Sequence, residues 1–293
     1  MFLRMTYVCY TRLGFCVSLN TMQRYLDPTN DVGFKKVFGD KARLKDFLNS
    51  ILRLPTGERI QNIEFVPTDE IPDLGQGKRS LFDLKCQDES GRYFLIEMQS
   101  QRTPGLMKRL QYYGSHAYVS QLKSGQDHGT LLPVVVVTVL KKSIFLECTE
   151  VITFHRVLEI KTQKNYLEDL SYVFVELEKF HKNETELVSY EDEWLFFLKE
   201  ADLISKAPSS IKDKMVLQAF EAMEIANWRP EEYDAYIRAR LLIETEQMTS
   251  QERFKKGLEQ GIRETARNFF GLGVDKSVIS KATGLSLEEI EQL

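Results

Sequence analysis

The chain has 293 residues, of which 43% are hydrophobic and 28% charged, with a formal net charge of −4 and a pI near 5.8. That is enough apolar material for one large core, alone or with a helical appendage, and any basic, nucleic-acid-gripping surface has to be local. No run approaches the ~20 apolar residues that span a bilayer, so no membrane association is expected, and four cysteines without a CxxC pair exclude a zinc knuckle.

Residues 1–21 carry Arg4 and then an apolar stretch split by Arg12. No small-x-small cleavage site follows, so the segment reads as a loosely ordered extension with Met22 as the start, rather than a signal peptide. From Pro28 the pattern becomes regular. Thr29-Asn30-Asp31 offers a helix cap, with Asp31 the capping residue, and Phe34, Val37 and Phe38 recur at helical spacing. Leu44, Phe47, Leu48 and Ile51 continue it after Asp40, giving two helices or one broken one that ends at Pro55-Thr56-Gly57. Ile60–Val66 is a predicted strand. A polar loop from Pro67 to Gly77 follows, then two paired strands, Ser80–Gln87 and Arg92–Gln99.

Leu106–Leu122 is a predicted helix with Leu106, Leu110, Tyr113 and Ala117 on one stripe. Leu131–Leu140 is continuously apolar and β-branched, as a strand buried on both faces is. Shorter strands are expected at Phe145–Cys148, Val151–Phe154 and Tyr172–Leu177. Two cysteines fall in expected strands and read as buried reduced thiols, which fits a reducing cytoplasm. Beyond Glu184 the pattern is helical only. Trp194, Phe197 and Leu198 form one stripe and Val216, Phe220 and Met223 another. Pro230 suits the first turn of a helix through Tyr233, Ile237 and Leu241, residues 244–268 read as an exposed helical spacer, and two short helices separated by Gly284 close the chain. The expected organisation is an extension over 1–21, an α/β domain over 22–183, a helical region over 184–268 and a helix-turn-helix-like tail over 269–293. The C-terminal helices are the surface expected to support any homo-oligomer.

The hairpin carries the chemistry. With period-two alternation, Phe82, Leu84 and Cys86 share one face and Leu81, Asp83 and Lys85 the other; Phe94, Ile96 and Met98 share a face opposite to Tyr93, Leu95, Glu97 and Gln99. Matching the apolar faces requires opposed residues to have an even sum. A three-residue turn Glu89-Ser90-Gly91, with Gly left-handed, makes that sum 180, which sets Asp83 opposite Glu97. Two opposed carboxylates repel, and a cation relieves this, either Lys85 or a bound Mg²⁺ or Mn²⁺, since hard divalent ions prefer carboxylate oxygens. Gln99 points to the same side and is placed to orient a water. Such a pair suits phosphodiester hydrolysis; an ordinary hairpin with a solvated face is the other reading.

At these residues the chain resembles the PD-(D/E)XK nuclease family transposases, the group related to recombination-promoting (Rpn-type) nucleases. The resemblance is carried by D-x-G-F-K-K-V-F-G (Asp31–Gly39), L-F-D-L-K (Leu81–Lys85), G-R-Y-F-L-I-E-M-Q (Gly91–Gln99), R-L-Q-Y-Y (Arg109–Tyr113), L-P-V-V-V-V (Leu132–Val137) and the ending A-T-G-L-S-L-E-E-I-E-Q-L (Ala282–Leu293), and so spans roughly residues 22–293. It implies a restriction-endonuclease-like core with αβββαβ order, a mixed sheet flanked by helices and an α-helical C-terminal half. It also implies a metal-dependent DNA endonuclease linked to recombination or mobile elements, with Asp83 and Glu97 as metal carboxylates and the Met98 carbonyl completing the shell. Gln99 stands where many superfamily members carry Lys, a departure typical of this branch, so a catalytically weak or inactive nuclease fold acting as a DNA- or protein-binding module is the alternative. Pro72-Asp73 is a rival literal "PD". Lys35 and Lys36 are a DNA-facing pair or a solvated face. Lys85, Arg109 and Gln111 are candidate DNA or phosphate contacts, with a surface salt bridge the other reading of Arg109. The acidic tail, with Glu288, Glu289 and Glu291, suits protein contact better than groove insertion.

Overall fold

A computed structural model describes residues 23–67 and 82–292. The extension 1–21 and the Pro72-Asp73 pair lie outside the described residues. The described residues divide into two compact units: one holds those up to Trp228 except Asn30–Val32, the other Asn30–Val32 and residues 229–292.

Chemistry at the chain breaks sets the first two helices. The Asn30 side chain accepts the Val32 N–H at 3.0 Å, so Asn30 rather than Asp31 provides the cap, and Asp31 becomes the first residue of α1 (Asp31–Phe38). Asp40 then caps α2 (Lys41–Ile51) by accepting from the Ala42 and Arg43 amides. Such a side-chain oxygen satisfies donors the helix cannot. The Arg43 guanidinium turns back onto the carbonyls of Val37 and Lys36, at 2.7 and 3.1 Å, and closes the end of α1. The pattern breaks at Gly39-Asp40 because both ends are capped there.

Six strands follow: β1 (Ile63–Phe65), β2 (Leu84–Asp88), β3 (Tyr93–Gln99), β4 (Val134–Leu140), β5 (Ile152–Val157) and β6 (Leu167–Glu176), with α3 (Leu106–Val119) between β3 and β4. The sheet order is β1-β2-β3-β4-β6-β5. β4 runs parallel to both β3 and β6 while the outer pairs are antiparallel. The αβββαβ order and the mixed sheet are those expected. β4 is internal because its Val and Leu side chains are covered on both faces: Val134, Val136 and Leu140 join Leu95, Leu106, Leu110 and Phe174 in one core cluster, and Val137 and Val139 are buried on the other side.

Three expectations are corrected. The strand expected over Ser80–Gln87 begins at Leu84, after a bend at Phe82-Asp83. Phe82 therefore leaves the Leu84–Cys86 face and packs with Leu95 and Leu110, its ring 5.7 Å from Tyr113 in T geometry. Phe145–Cys148 is a turn, not a strand, because the Ile144 and Phe145 amides are taken by the buried Glu176 carboxylate at 2.5 and 3.0 Å and so cannot join a ladder. Cys148 is consequently half-buried in that turn, whereas Cys86 is fully buried and burial pushes its thiol up to about 12.

Helices α4 (Tyr190–Glu200) and α5 (Lys214–Met223) start at the caps Ser189 and Asp213. Trp194, Phe197 and Leu198 are buried as their stripe requires, and the Trp194 ring packs on Phe38 and Phe47 at 5.5 and 5.6 Å. Its indole N–H donates to Asp46 at 2.7 Å. Burial lifts the Asp46 carboxyl to about 6; the indole hydrogen bond opposes this, and the neighbouring Asp213 carboxylate adds to it. The folded state thus binds a proton more readily than the unfolded chain, so stability falls as pH rises from about 4 to 6. Asp46→Asn keeps an acceptor for Trp194 and presents an N–H to Asp213. We expect it to stabilise the protein by about 1–2 kcal/mol at pH 7.5, discounted for partial exposure, and by almost nothing near pH 4. Denaturant unfolding at both pH values checks this; equal changes at both would refute it.

In the second unit, α6 (Pro230–Gly271) has Pro230 at its first position and runs unbroken for 42 residues. The stretch read as a spacer belongs to this helix. The short helices α7 (Lys276–Thr283) and α8 (Leu287–Glu291) flank Gly284, and Ile279 and Ile290 pack on Ala266 of α6. No helix among the described residues is long and apolar enough to cross a membrane.

Candidate active site

The site is built on the β2–β3 hairpin. Its turn has the predicted form: the Gly91 amide donates to the Asp88 carbonyl at 3.0 Å and the Asp88 amide to the Arg92 carbonyl at 3.1 Å. Gly91 has φ +89°, a conformation that favours glycine. The buried Asp88 carboxylate locks the turn by accepting the Ser90 and Arg92 amides and the Arg92 guanidinium. The register that follows pairs Leu84 with Ile96, Lys85 with Leu95 and Cys86 with Phe94, each summing to 180. That register ends at Leu84; Asp83 precedes it in the bend and reaches β3 through its carboxylate, at the Met98 amide next to Glu97.

Backbone direction then concentrates oxygen atoms at one end of the hairpin. The odd residues at the two ends of β3 bond towards β4: the Tyr93 amide goes to the Pro133 carbonyl, and the Gln99 carbonyl accepts from Lys141. The even residues face β2, and β2 stops at Leu84. The Met98 amide would therefore lack a ladder partner, and the Asp83 carboxylate replaces it, accepting at 2.8 Å. The Met98 carbonyl faces the same side. Asp83 and Glu97 side chains are only 11% and 10% exposed.

Cations come from two other elements. Lys35, on α1, places its ammonium 3.5 Å from Asp83 Oδ1. Arg109, in the early part of α3, is 3.4 Å from Glu97 Oε1, held there by Leu106 and Leu110 in the core. The Gln99 amide donates to Glu97 Oε1 at 2.6 Å and lies 3.3 Å from the Met98 carbonyl. Beside them, burial above all raises the Tyr113 phenol over its ordinary value.

The structure thus brings together Asp83, Glu97, Met98, Gln99, Lys35 and Arg109. Three other candidates sit on α1, β2 and α3. The Lys36 ammonium lies over the Trp228 ring at 5.3 Å. The Lys85 ammonium lies over the Tyr93 ring at 5.4 Å. Gln111 is exposed on α3. The Lys35–Asp83 pair escaped sequence reasoning, since no local pattern links residues 48 positions apart.

The donor set suits a hard divalent ion: two nearly buried carboxylates and a backbone carbonyl, all oxygen. Among the described residues no cluster of three or more His, Cys, Asp and Glu side chains is present. The remaining ligands of such an ion would be waters, as Mg²⁺ commonly retains.

Comparison with known proteins identifies the family. A family model described as PD-(D/E)XK nuclease family transposase matches residues 28–249. No curated protein and no solved structure gives a significant match. The matched stretch covers the hairpin, α1, α3 and the whole sheet, and the chain belongs to the PD-(D/E)XK nuclease family transposases.

Proposed function

We propose that the protein is a metal-dependent endonuclease that hydrolyses phosphodiester bonds in DNA, in the service of recombination or of a mobile element. The observation that carries this reading is that Asp83 accepts the Met98 amide while Gln99 contacts both Glu97 and the Met98 carbonyl, which sets both carboxylates around one residue at the end of the hairpin. Asp83, Glu97 and the Met98 carbonyl would hold Mg²⁺ or Mn²⁺. When bound, such an ion supplies a more acidic water and neutralises phosphate charge.

The protein's own groups supply the rest. Lys35 and Arg109 are 52% and 34% exposed at their side chains, so a phosphate can reach both while each still touches a site carboxylate. They give the site positive charge although the protein as a whole is acidic. Gln99 holds the Glu97 carboxylate in place but carries no charge, and Lys35 takes the cationic role that lysine fills elsewhere in the superfamily. Lys35→Ala is accordingly expected to lower cleavage by about 10²-fold, and Gln99→Lys to keep activity or raise it. Single-turnover rates on one plasmid substrate check both. Undiminished cleavage by Lys35→Ala would remove Lys35 from the mechanism.

One observation favours a second reading, a nuclease fold kept as a DNA- or protein-binding module. The Gln99 amide contacts Glu97 Oε1 and the Met98 carbonyl, two of the atoms an ion would use. Incubation of supercoiled plasmid with Mg²⁺, Mn²⁺ or EDTA separates the two. Cleavage with either metal and none in EDTA supports the nuclease; intact plasmid throughout, with retained DNA binding, supports the module.

A further inference from the structure

The strand β4, VVVVTVL, contains one polar side chain, Thr138. Thr138 is 0% exposed, and its hydroxyl oxygen makes no hydrogen bond. Leaving a buried hydroxyl unpaired carries its full cost of desolvation with no hydrogen bond in return. Valine is β-branched, nearly the same shape, and fills the positions around it at no such cost. A threonine here is therefore a liability to the fold unless its hydroxyl acts in another state of the protein.

Its neighbours identify that action. β3 and β4 are parallel, and Thr138 is paired with Glu97, so both side chains project from the same face of the sheet on strands about 4.8 Å apart. That is the α3 face, shown by Val136 and Leu140 beside Leu95 in the core and by the Arg109 contact to Glu97. On its other side Thr138 is paired with Phe174, and Val136 and Leu140 precede and follow it on this face. Of these four neighbours only Glu97 is polar.

We propose that Thr138 is a positioning residue for Glu97, its hydroxyl donating a hydrogen bond to the Glu97 carboxylate in the metal-loaded protein and fixing that carboxylate as a ligand. The inference rests on the nuclease reading above. Rotation about the threonine Cα–Cβ bond is the movement that turns its hydroxyl towards β3. Partners of this kind orient metal-binding carboxylates, and their removal typically weakens metal affinity or activity 10–100-fold.

The test compares Thr138→Val and Thr138→Ser with the wild type in the full chain, by Mn²⁺ titration calorimetry, plasmid cleavage and thermal melting. The expected result for Thr138→Val is Mn²⁺ affinity and cleavage both reduced about 10–100-fold, with a melting temperature at or above that of the wild type. Thr138→Ser, which restores the hydroxyl without the methyl, should bring affinity and cleavage back. Wild-type Mn²⁺ affinity in Thr138→Val overturns the proposal, as does a Ser variant as impaired as Val, which would assign the effect to packing. A wild type that neither binds Mn²⁺ nor cleaves would fell the nuclease reading and this proposal with it, whereas a wild type that does both leaves the fate of this proposal to the variants alone.

Discussion

Replacing Asp83 by Asn is expected to lower metal-dependent DNA cleavage on the order of 10³-fold or more, from several kcal/mol of lost charge stabilisation at about 1.36 kcal/mol per tenfold, with the fold intact. The asparagine oxygen still accepts the Met98 amide that Asp83 holds at 2.8 Å, so the end of the hairpin keeps its hydrogen bond. The ion pair with Lys35, whose side chain is half exposed, contributes only about 0–1 kcal/mol. Glu97→Gln should behave alike. Cleavage rates and melting temperatures measured together check the pair: variants that melt like the wild type and still cut would remove these carboxylates from the chemistry.

Trp194→Ala should be the most damaging single change to the fold, destabilising it by about 3–5 kcal/mol, or a fall in melting temperature of roughly 6–20 °C at about 2–4 °C per kcal/mol. The ring is fully buried against Phe38 of α1 and Phe47 of α2, and its N–H satisfies Asp46. Deleting it leaves a cavity and a buried carboxyl that has lost a donor, two of the mechanisms behind large effects. Trp194→Phe keeps most of the apolar volume and should lose less. A change within about 0.5 kcal/mol, as for exposed positions, would mean that α4 is an appendage to the α/β core and not part of it.

The hairpin was legible in the sequence because three local signals agree there. Alternation assigns faces, Gly91 sets the turn, and the buried sets Cys86 and Phe94–Ile96–Met98 tolerate a single register. The same alternation failed at Phe82, where the strand had not yet begun and a bend turned the ring to the α3 side. It failed again at Phe145–Cys148, where a distant carboxylate, Glu176, captures the backbone. Both misses share a cause: a tertiary contact outcompetes a local preference. The internal position of β4 was readable from its unbroken apolar run, and so was the stripe of Trp194, but not which helices that stripe covers.

Within the site, the residues of one hairpin could be placed beforehand and those reaching it from other elements could not. Arg109 was a candidate for phosphate or for a surface salt bridge, and it is within ion-pair distance of a nearly buried carboxylate. Lys35 and Lys36 looked equivalent in F-K-K-V-F, yet helical geometry sends one to Asp83 and the other to Trp228. Adjacent residues on a helix project about 100° apart, so only one of a Lys-Lys pair can serve a given site.

Whether Asp83 and Glu97 share one divalent ion is decided by Mn²⁺ titration calorimetry of the wild type beside Asp83→Asn and Glu97→Gln. One site is expected in the wild type and none in either variant, with all three proteins folded. A wild type that takes up no Mn²⁺, or a site of unchanged affinity in both variants, would contradict a shared ion.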